Sequence, residues 1–344
     1  MTLSTRPWGP EQLAALREHL DLVVGAGAVP GGVIAYGTAG AEPAFLTSGV
    51  VAPECGEERP GPHTRYDLAS LTKVLSVWPL VGLARAANQF YLSTPIADLL
   101  PDVPADAPGA HVTVGQILTH TSGLIPATRL DRYRGRPEPL ARLICEEPLA
   151  GTPGVEHRYV NRGFILLGLA LAQLHDRPLE ELAAEMWAEL GMTGTAYGPL
   201  ARCATVAPTE RRLAGAPRLW GIPHDDNAAL LGGVAGHAGV FGTAADLAFF
   251  ADRLLDPDGV LGNWLAVSAR SRARIEPGFG RGLAWIVSDD GSAVYHHGFT
   301  GTSLYLAPDT GRYLALCTNA VYHHQDNRTA LAPLRAHALK EITN

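Results

Sequence analysis

Short apolar runs separated by turn residues lie near both ends of the chain, a pattern typical of paired strands. Two such runs, residues 33–36 and 45–51, flank a glycine-rich turn. Toward the other end, four more occupy residues 283–288, 293–296, 303–306 and 313–318, and the fourth follows the turn Pro308-Asp309-Thr310-Gly311. The short run at 293–296 can also be a continuation of the run before it. Hairpin-spaced strands pair with antiparallel neighbours, so we expect one antiparallel sheet built from both ends of the chain.

Helical periodicity flanks these strands and fills the middle of the chain. Pro10 opens a stretch with apolar residues at helical spacing, namely Leu13, Leu16, Leu20 and Val23. A last helix is predicted over residues 328–342, where Leu331, Leu334 and Leu339 can form one apolar face. Between them, residues 164–174, 179–190 and 244–255 have helical patterns broken by loops rich in Pro and Gly.

These patterns predict an α+β protein with a discontinuous sheet domain, residues 1–75 and 271–344, flanked by the first and last helices. Residues 76–270 would form an inserted, mainly helical domain, with the active site at the interface of the two. Two segments rich in Pro, Gly and acidic residues, 51–63 and 101–110, are expected to be solvated connections.

Composition narrows the class of protein. With 344 residues, 47% hydrophobic and 18% charged, the chain is expected to be globular rather than disordered. A net charge of -7 gives no reason to expect nucleic acid as a partner. No apolar run is long enough to span a membrane, and the first residues do not form a secretory signal. We therefore expect a cytoplasmic protein.

The cysteines and histidines do not have the spacing of a metal or redox site. The four cysteines lie far apart and are expected to be free, mostly buried thiols, with a cysteine nucleophile as the less favoured alternative: Cys55, Cys145, Cys203 and Cys317. The thirteen histidines include the pairs His296-His297 and His323-His324, but there is no H-E-x-x-H motif. We expect no cofactor and no metal.

Lysine is rare in this chain, and that draws attention to its positions. Of 27 basic residues only Lys73 and Lys340 are lysine. A compositional bias toward arginine explains the scarcity, and Lys340 in the last helix fits an ordinary surface residue. Lysine can release its proton in a suitable environment whereas arginine cannot, so a retained lysine can indicate a position where arginine would fail.

Lys73 follows Ser70 at the spacing S-x-x-K, which places both side chains on one face of a helix beginning there. Serine becomes an effective nucleophile when a neighbouring base takes its proton. The motif alone is weak, because a surface lysine beside a serine in a first helical turn has the same spacing. Pro79 is expected to kink or end this helix.

Two further motifs follow in order, and together the three resemble the serine β-lactamase-like hydrolases, in particular the group of class C β-lactamases, DD-peptidases and esterases. Tyr159-Val160-Asn161 matches that family's Y-x-N motif. His296-His297-Gly298 matches the third motif, a basic residue followed by x-G on a strand. Residues 116–124 and 227–243 are also similar to the family, and the resemblance extends over roughly residues 20–340. It implies the β-lactamase/DD-peptidase fold.

The resemblance also implies roles for these residues. Ser70 would be the nucleophile that accepts the acyl group, and Lys73 and Tyr159 would be the acid/base pair. Asn161 would bind the substrate amide and help to position Lys73. His296 stands where class C β-lactamases carry lysine, and Gly298 follows it in the motif. The backbone N–H groups of Ser70 and Phe299 would form the oxyanion hole.

The histidine in the third motif changes the expected substrate. A dedicated β-lactamase uses a permanent cation there to hold a substrate carboxylate, so His296 favours peptidase, amidase or esterase chemistry. Residues 224–227, the run containing His237, and Thr318-Asn319 with His323 resemble muropeptide amidases and cell-wall recycling hydrolases. The expected function is hydrolysis of a small amide or ester through an acyl-enzyme on Ser70, with a peptidoglycan-derived substrate.

Three alternatives remain at this point. The chain could be a carboxylesterase or a β-lactamase of the same fold. It could also be a non-hydrolytic module that binds or senses β-lactams or muropeptides. For the glycine-rich residues 232–242, with His237, the sequence allows either a tight packing loop or a wall of the substrate cleft.

Overall fold

The computed structural model describes residues 6–323 and 329–344 of the chain. Within them lie eleven strands: β1 (Gly31–Thr38), β2 (Ala44–Gly49), β3 (Arg65–Asp67), β4 (Ala196–Tyr197), β5 (Val240–Thr243), β6 (Ala273–Glu276), β7 (Phe279–Arg281), β8 (Ile286–Ser288), β9 (Val294–His297), β10 (Ser303–Ala307) and β11 (Arg312–Thr318). Eight of them form one antiparallel sheet in the order β2-β1-β11-β10-β9-β8-β7-β6. The predicted sheet built from both chain ends is confirmed.

The same residues contain eleven α-helices: α1 (Pro10–Gly25), α2 (Trp78–Ala86), α3 (Ile96–Leu99), α4 (Val114–Leu118), α5 (Leu140–Glu146), α6 (Asn161–His175), α7 (Leu179–Glu189), α8 (Asp226–Leu230), α9 (Ala244–Leu254), α10 (Val260–Ser268) and α11 (Ala332–Thr343). The helices predicted from the patterns at residues 10, 164, 179 and 244 are all present. The last predicted helix is also present, although its expected first residue, Arg328, and His324 of the histidine pair lie outside the described residues.

Both faces of the sheet are covered, because successive side chains of a strand point to opposite faces. On β1, Ile34 packs in the cluster that contains α1 and α11 residues, such as Leu20 and Leu334. Its neighbours Val33 and Ala35 belong to the larger core on the other face. This arrangement explains why the central strands are continuously apolar.

Helix α9, from the middle of the chain, packs against β1 and β11 on the face opposite α1 and α11. Most of the other middle helices belong to the same large core, which continues from the sheet into the helical region. The division of the chain into a sheet domain and an inserted helical domain stays a prediction.

The strands between residues 273 and 297 differ in detail from the prediction. The run at 283–288 is a strand only over Ile286–Ser288, because Ala284 has a left-handed φ of 70° and Gly282 N–H donates to the Trp285 carbonyl in a turn. The run at 293–296 forms a separate strand, β9, which pairs with both β8 and β10. Two strands, β6 and β7, were not predicted: β6 is a half-exposed edge strand and β7 contains Gly280.

Candidate active site

The segment that carries Ser70 is held in a strained turn. It follows β3, which pairs with β5 in a small sheet of three strands. Ala69 has a φ of 46°, a left-handed conformation that is costly for a residue with a Cβ atom. The Asp67 carboxylate stabilises the turn by accepting from Ala69 N–H (2.8 Å) and from His224 N–H (2.6 Å). Ser70 therefore sits on a rigid turn between a strand and a helix.

The helix after Ser70 begins irregularly. A 3₁₀ turn over Ala69–Leu71 is followed by a wide π turn over Lys73–Val77, and α2 then continues through Pro79. The proline lacks the N–H that would bond to the Leu75 carbonyl, and the indole of Trp187 donates to that carbonyl instead (2.7 Å). The distortion expected at Pro79 thus lies in the turn before it, and the helix does not end there.

Lys73 is completely buried and contacts the nucleophile directly. Its Nζ donates to Ser70 Oγ (3.0 Å) and to the His237 carbonyl (3.1 Å), and it lies 4.8 Å from the centre of the Tyr159 ring. No acidic side chain of the described residues forms an ion pair with it. The spacing S-x-x-K therefore places a buried amine beside a serine hydroxyl, as predicted.

His120, which the sequence did not single out, fixes the position of Tyr159. The rings of the two residues are 4.4 Å apart. The His120 carbonyl accepts from Arg158 N–H (2.8 Å), and its Nδ1 accepts from Val160 N–H (3.1 Å), so both neighbours of Tyr159 are bound to one residue. Burial, reinforced by nearby Arg281 and Lys73, holds the pKa of His120 well below its usual range, which keeps Nδ1 available as an acceptor.

Asn161, the first residue of α6, lines the same cleft as Ser70 and Tyr159. Its Oδ1 is buried and accepts no hydrogen bond from the described residues. The implied contact with Lys73 is not among the hydrogen bonds of the described residues, in which Nζ donates to Ser70 Oγ and to the His237 carbonyl. The amide of Asn161 is thereby left for another molecule in the cleft.

The third motif lies where β9 ends, against the Ser70 segment. A Cβ atom on Gly298 would come within 2.0 Å of Thr302 Oγ1 and 2.5 Å of the Leu68 carbonyl oxygen, so only glycine fits there. Thr300 Oγ1 also donates to the Asp67 carbonyl (2.5 Å). These contacts join the two segments that the sequence predicted to meet.

His296 is buried at 2% exposure and is not among the residues lining the cleft. Neither ring nitrogen has a partner among the described residues. Burial first, and then the positive charges of Arg281 and Lys73, hold its pKa well below the usual range. A neutral histidine thus occupies the position where the resemblance implied a basic residue.

The cleft has a volume of about 540 Å³, and one side of it is charged. Its lining consists of Ala69, Ser70, Tyr159, Asn161, Glu210, Arg211, Arg212, His224, Asp225, Asp226, Asn227, Ala238 and Phe299. We call five of these the charged wall: Glu210, Arg211, Arg212, Asp225 and Asp226. Within it, Arg212 pairs with Glu210 (3.4 Å) and with Asp226. Of these five wall residues, only Asp225 and Asp226 had a signal in the sequence, because they lie within residues 224–227, which carry the subgroup resemblance.

Phe299 also lines the cleft and is linked to this wall. Its ring stacks with His224 at 5.3 Å between centres, and His224 in turn hydrogen-bonds Glu210 (3.0 Å). Ser70 and Phe299 border the same space, which is the condition for their backbone N–H groups to act on one oxygen atom. The oxyanion hole itself stays a prediction.

His237 lies directly behind the cleft. It is fully buried, its Nε2 hydrogen-bonds Asp225 Oδ1 (2.8 Å), and its carbonyl accepts from Lys73. Burial is the largest single effect on Asp225 and raises its pKa, but the hydrogen bond and charge of His237, together with the Ala228 N–H and the charge of Lys73, outweigh it and lower the pKa of that carboxyl group. The glycine-rich run is therefore both tightly packed and connected to the cleft, through the neighbouring Ala238 and Asp225.

Several other features can be placed. No helix among the described residues has the length and apolarity needed to cross a membrane, and the same residues contain no cluster of potential metal ligands. All four cysteines are free, and Cys145 and Cys317 are buried. No cysteine lines the cleft. Lys340 is exposed, as predicted.

Comparison with known proteins decides the family. The sequence model described as Beta-lactamase matches residues 16–339, nearly the whole chain. The chain belongs to the beta-lactamase family. The resemblance inferred from the three motifs is thereby confirmed. Within this family, the chain has the S-x-x-K, Y-x-N and H-x-G motifs, and Ser70, Tyr159 and Asn161 of the first two line one cleft.

Relatives of this beta-lactamase family member differ in their named activities. The chain is 29% identical over 230 residues to a putative D-alanyl-D-alanine carboxypeptidase of Escherichia coli strain K12, which covers 57% of this chain and 52% of that protein. It is 27% identical to an N-acetylmuramyl-L-alanine amidase of Bacillus subtilis strain 168, over 75% of this chain and 68% of the other. The chain spans about half the length of the carboxypeptidase relatives it matches.

Solved structures of similar fold confirm the predicted fold class. A beta-lactamase/D-alanine carboxypeptidase from Pseudomonas syringae has a TM-score of 0.77 at 17% identity, covering 96% of this chain and 99% of the other. EstCE1, a hydrolase with promiscuous acyltransferase activity, has a TM-score of 0.76 at 19% identity, covering 97% and 99%. At such identities the likeness concerns the fold.

Proposed function

We propose that this member of the beta-lactamase family is a serine acyl hydrolase that cleaves a small amide or ester through an acyl-enzyme on Ser70. One observation carries the proposal: Lys73 Nζ lies 3.0 Å from Ser70 Oγ and 4.8 Å from the ring centre of Tyr159, beside a cleft that Ser70 and Tyr159 both line. A nucleophile within hydrogen-bond reach of a group that can take its proton is the arrangement required for covalent catalysis.

Acylation follows from this geometry. Ser70 Oγ bonds to the substrate carbonyl carbon as its proton passes to the pair formed by Lys73 and Tyr159 (together with Ser70, the proton-transfer cluster). The carbonyl oxygen becomes an oxyanion beside the backbone N–H groups of Ser70 and Phe299. When the carbonyl re-forms, the bond to the leaving amine or alkoxide breaks, and the pair returns the proton to the leaving group.

Deacylation repeats these steps with water. A water molecule in the cleft attacks the acyl carbon and gives a proton to the same pair. The bond to Ser70 Oγ then breaks, and the serine oxygen recovers a proton. The product is a carboxylic acid, and the enzyme returns to its initial state, so no cofactor is consumed.

The charged wall supports a polar substrate. Its three carboxylates and two guanidinium groups offer partners for both an ammonium and a carboxylate group, as in a short peptide. A peptide carrying D-amino acids or a muramoyl group has this character, and the relatives named as a carboxypeptidase and an amidase agree with such a substrate. We therefore propose a peptidoglycan-derived amide as the substrate class.

A panel of substrates under one condition tests the proposal. It contains a D-Ala-D-Ala peptide, an N-acetylmuramoyl-L-alanine compound, a short-chain nitrophenyl ester and a chromogenic cephalosporin. We expect steady-state turnover of at least one amide, reduced by at least about 10³-fold in Ser70→Ala. Unchanged turnover in Ser70→Ala would disprove the acyl-enzyme. Turnover of the ester alone would leave a serine hydrolase but reject the amide, and binding without turnover would indicate a sensing module.

The neutral His296 bears on the cephalosporin in this panel. With no permanent cation at the third motif, the site lacks the group that the resemblance assigns to the β-lactam carboxylate. We therefore expect the cephalosporin to be the poorest substrate. The variant His296→Lys should improve its hydrolysis relative to the ester, and no change in that ratio would contradict the interpretation.

A further inference from the structure

Arg281 is an isolated buried cation beside the proton-transfer cluster. It is the last residue of β7 and only 4% exposed. Buried arginines are ordinarily paired with a carboxylate. Here no acidic side chain of the described residues forms an ion pair with the guanidinium, which instead donates to the Ala284 carbonyl (3.1 Å) and to His157 Nε2 (3.3 Å). The folded protein therefore keeps a buried positive charge for which packing gives no reason.

The charge of Arg281 faces Tyr159. Its guanidinium carbon lies 5.8 Å from the centre of the Tyr159 ring, and Lys73 Nζ lies 4.8 Å from the same point. Two histidines contact the tyrosine, His120 and His296, and His157 contacts both His120 and Arg281. The neighbouring Arg158 is paired with Glu156. Burial is the first cause of a lowered pKa in all three histidines, so all three are neutral near pH 7.

Among the described residues, Arg281 and Lys73 are therefore the cations that contact the Tyr159 ring. Burial lowers the pKa of the Arg281 guanidinium to about 10, and the group stays cationic through the neutral range. Lys73 must gain and lose a proton during the reaction proposed above, so its charge cannot be constant. The charge of Arg281 is constant, because nothing in that reaction removes its proton.

We infer that Arg281 is a positioning residue that stabilises the phenolate of Tyr159 whenever Tyr159 gives its proton away. When the Tyr159 O–H bond breaks, the electron pair stays on the phenolate oxygen and the proton goes to the leaving group. At about 6 Å and an effective dielectric constant near 20, one unit charge alters such an ionisation by about one to two orders of magnitude.

The test rests on the proposed function and uses the pH dependence of kcat/KM for a nitrophenyl ester. In Arg281→Met the tyrosine ionises less readily, so we expect at least about a tenfold loss near pH 7 and a rising limb displaced to higher pH by about one unit or more. Arg281→Lys keeps the positive charge, so its kcat/KM near pH 7 and the position of its rising limb should both stay close to those of the parent. The matched control is Arg274→Met, which removes an exposed arginine from the neighbouring strand β6 and should leave the profile unchanged.

A double variant separates the effect of charge from that of packing. In Arg281→Met combined with His296→Lys, a cation returns at position 296, where the histidine ring centre lies 6.4 Å from that of Tyr159, and we expect the rising limb to move back toward that of the parent. Ultraviolet difference titration of tyrosinate, comparing each protein with its Tyr159→Phe counterpart, reports the same ionisation without turnover. A folded Arg281→Met protein with an unaltered profile and titration would overturn the inference while leaving the Ser70 hydrolase intact. A parent protein with no Ser70-dependent turnover would reject the proposed function as well.

Discussion

The proton-transfer cluster and the charged wall border one cleft, but they are built in opposite ways. Lys73 is fully buried, has no acidic partner among the described residues and is surrounded by aromatic rings. On the charged wall, Arg212 pairs with two carboxylates and remains partly exposed. Because electrostatic effects are large in a buried site and screened at the surface, the cluster should determine the rate and the wall the choice of substrate.

The largest effect in this comparison is expected from Lys73→Arg. Arginine keeps the positive charge but cannot act as a base, so we predict a fall in kcat of at least about 10²-fold. Steady-state kinetics on the best substrate of the panel measure it. The matched control is Lys340→Arg, which changes the other lysine of the chain on the exposed side of α11 and should have no effect. Full activity in Lys73→Arg would mean that this amine is not the base.

A smaller effect is expected where the two regions meet, at Asp225. This carboxylate borders the cleft and binds His237, whose carbonyl holds Lys73. Asp225→Ala leaves the buried imidazole without its partner, so we predict about a tenfold loss in kcat, with a milder loss in Asp225→Asn because the amide oxygen can still accept. Asp102→Asn, at an exposed carboxylate away from the cleft, is the control. Equal kinetics for the Ala and Asn variants would argue against this connection.

The charged wall should show its role in KM. In Arg212→Gln we expect a few-fold increase in KM for a charged peptide and little change for a neutral ester, because an exposed ion pair contributes about 1 kcal/mol or less. Arg136→Gln removes an exposed, paired arginine that does not line the cleft and serves as the control. An equal increase in KM for the peptide and the ester would show that the wall does not select substrates by their charge.

Acid should destabilise the region around the cluster. Seven histidines have lowered pKa values with burial as the first cause, and the five most buried of them are His120, His157, His237, His296 and His297. The folded state keeps these histidines neutral, whereas the unfolded chain takes up protons below about pH 6.5. Their contribution to the free energy of unfolding is therefore complete above that pH and is lost as the pH falls below it. Each proton that only the unfolded chain binds adds about 1.4 kcal/mol per pH unit to the slope of the free energy of unfolding against pH.

Guanidinium unfolding measured between pH 7 and pH 5 tests this expectation. The free energy of unfolding should fall across the range. The pKa of His297 is lowered to about 3, so His297→Gln should reduce the slope, whereas the exposed control His111→Gln should not. A free energy of unfolding that rises toward pH 5 would contradict the account.

The sequence predicted the cluster better than the wall because the cluster consists of motifs with local spacing. Ser70 and Lys73 are three residues apart, and Tyr159 and His296 lie in short motifs in a recognisable order. Strand β6, in contrast, is an edge strand with a half-exposed polar pattern, which has too little apolar alternation to be recognised.

The wall and the supporting residues depend on tertiary contacts that leave no periodic signal. His120 reaches Tyr159 across 39 positions of the sequence, and Arg281 reaches it across 122. Arg281 also does not stand out in the sequence, because nearly all of the basic Lys and Arg residues of this chain are arginine. Its burial without a carboxylate, which makes it informative, exists only in the folded protein.

The central claim is that the acyl group of the substrate is transferred to Ser70. Intact mass measurement after incubation with a fluorophosphonate or a penicillin, followed by peptide mapping, tests it most directly. The account predicts a single adduct on the peptide containing Ser70 that is absent in Ser70→Ala and forms much more slowly in Lys73→Arg. An adduct on any other residue, or no adduct in a protein that turns over its substrate, would contradict it.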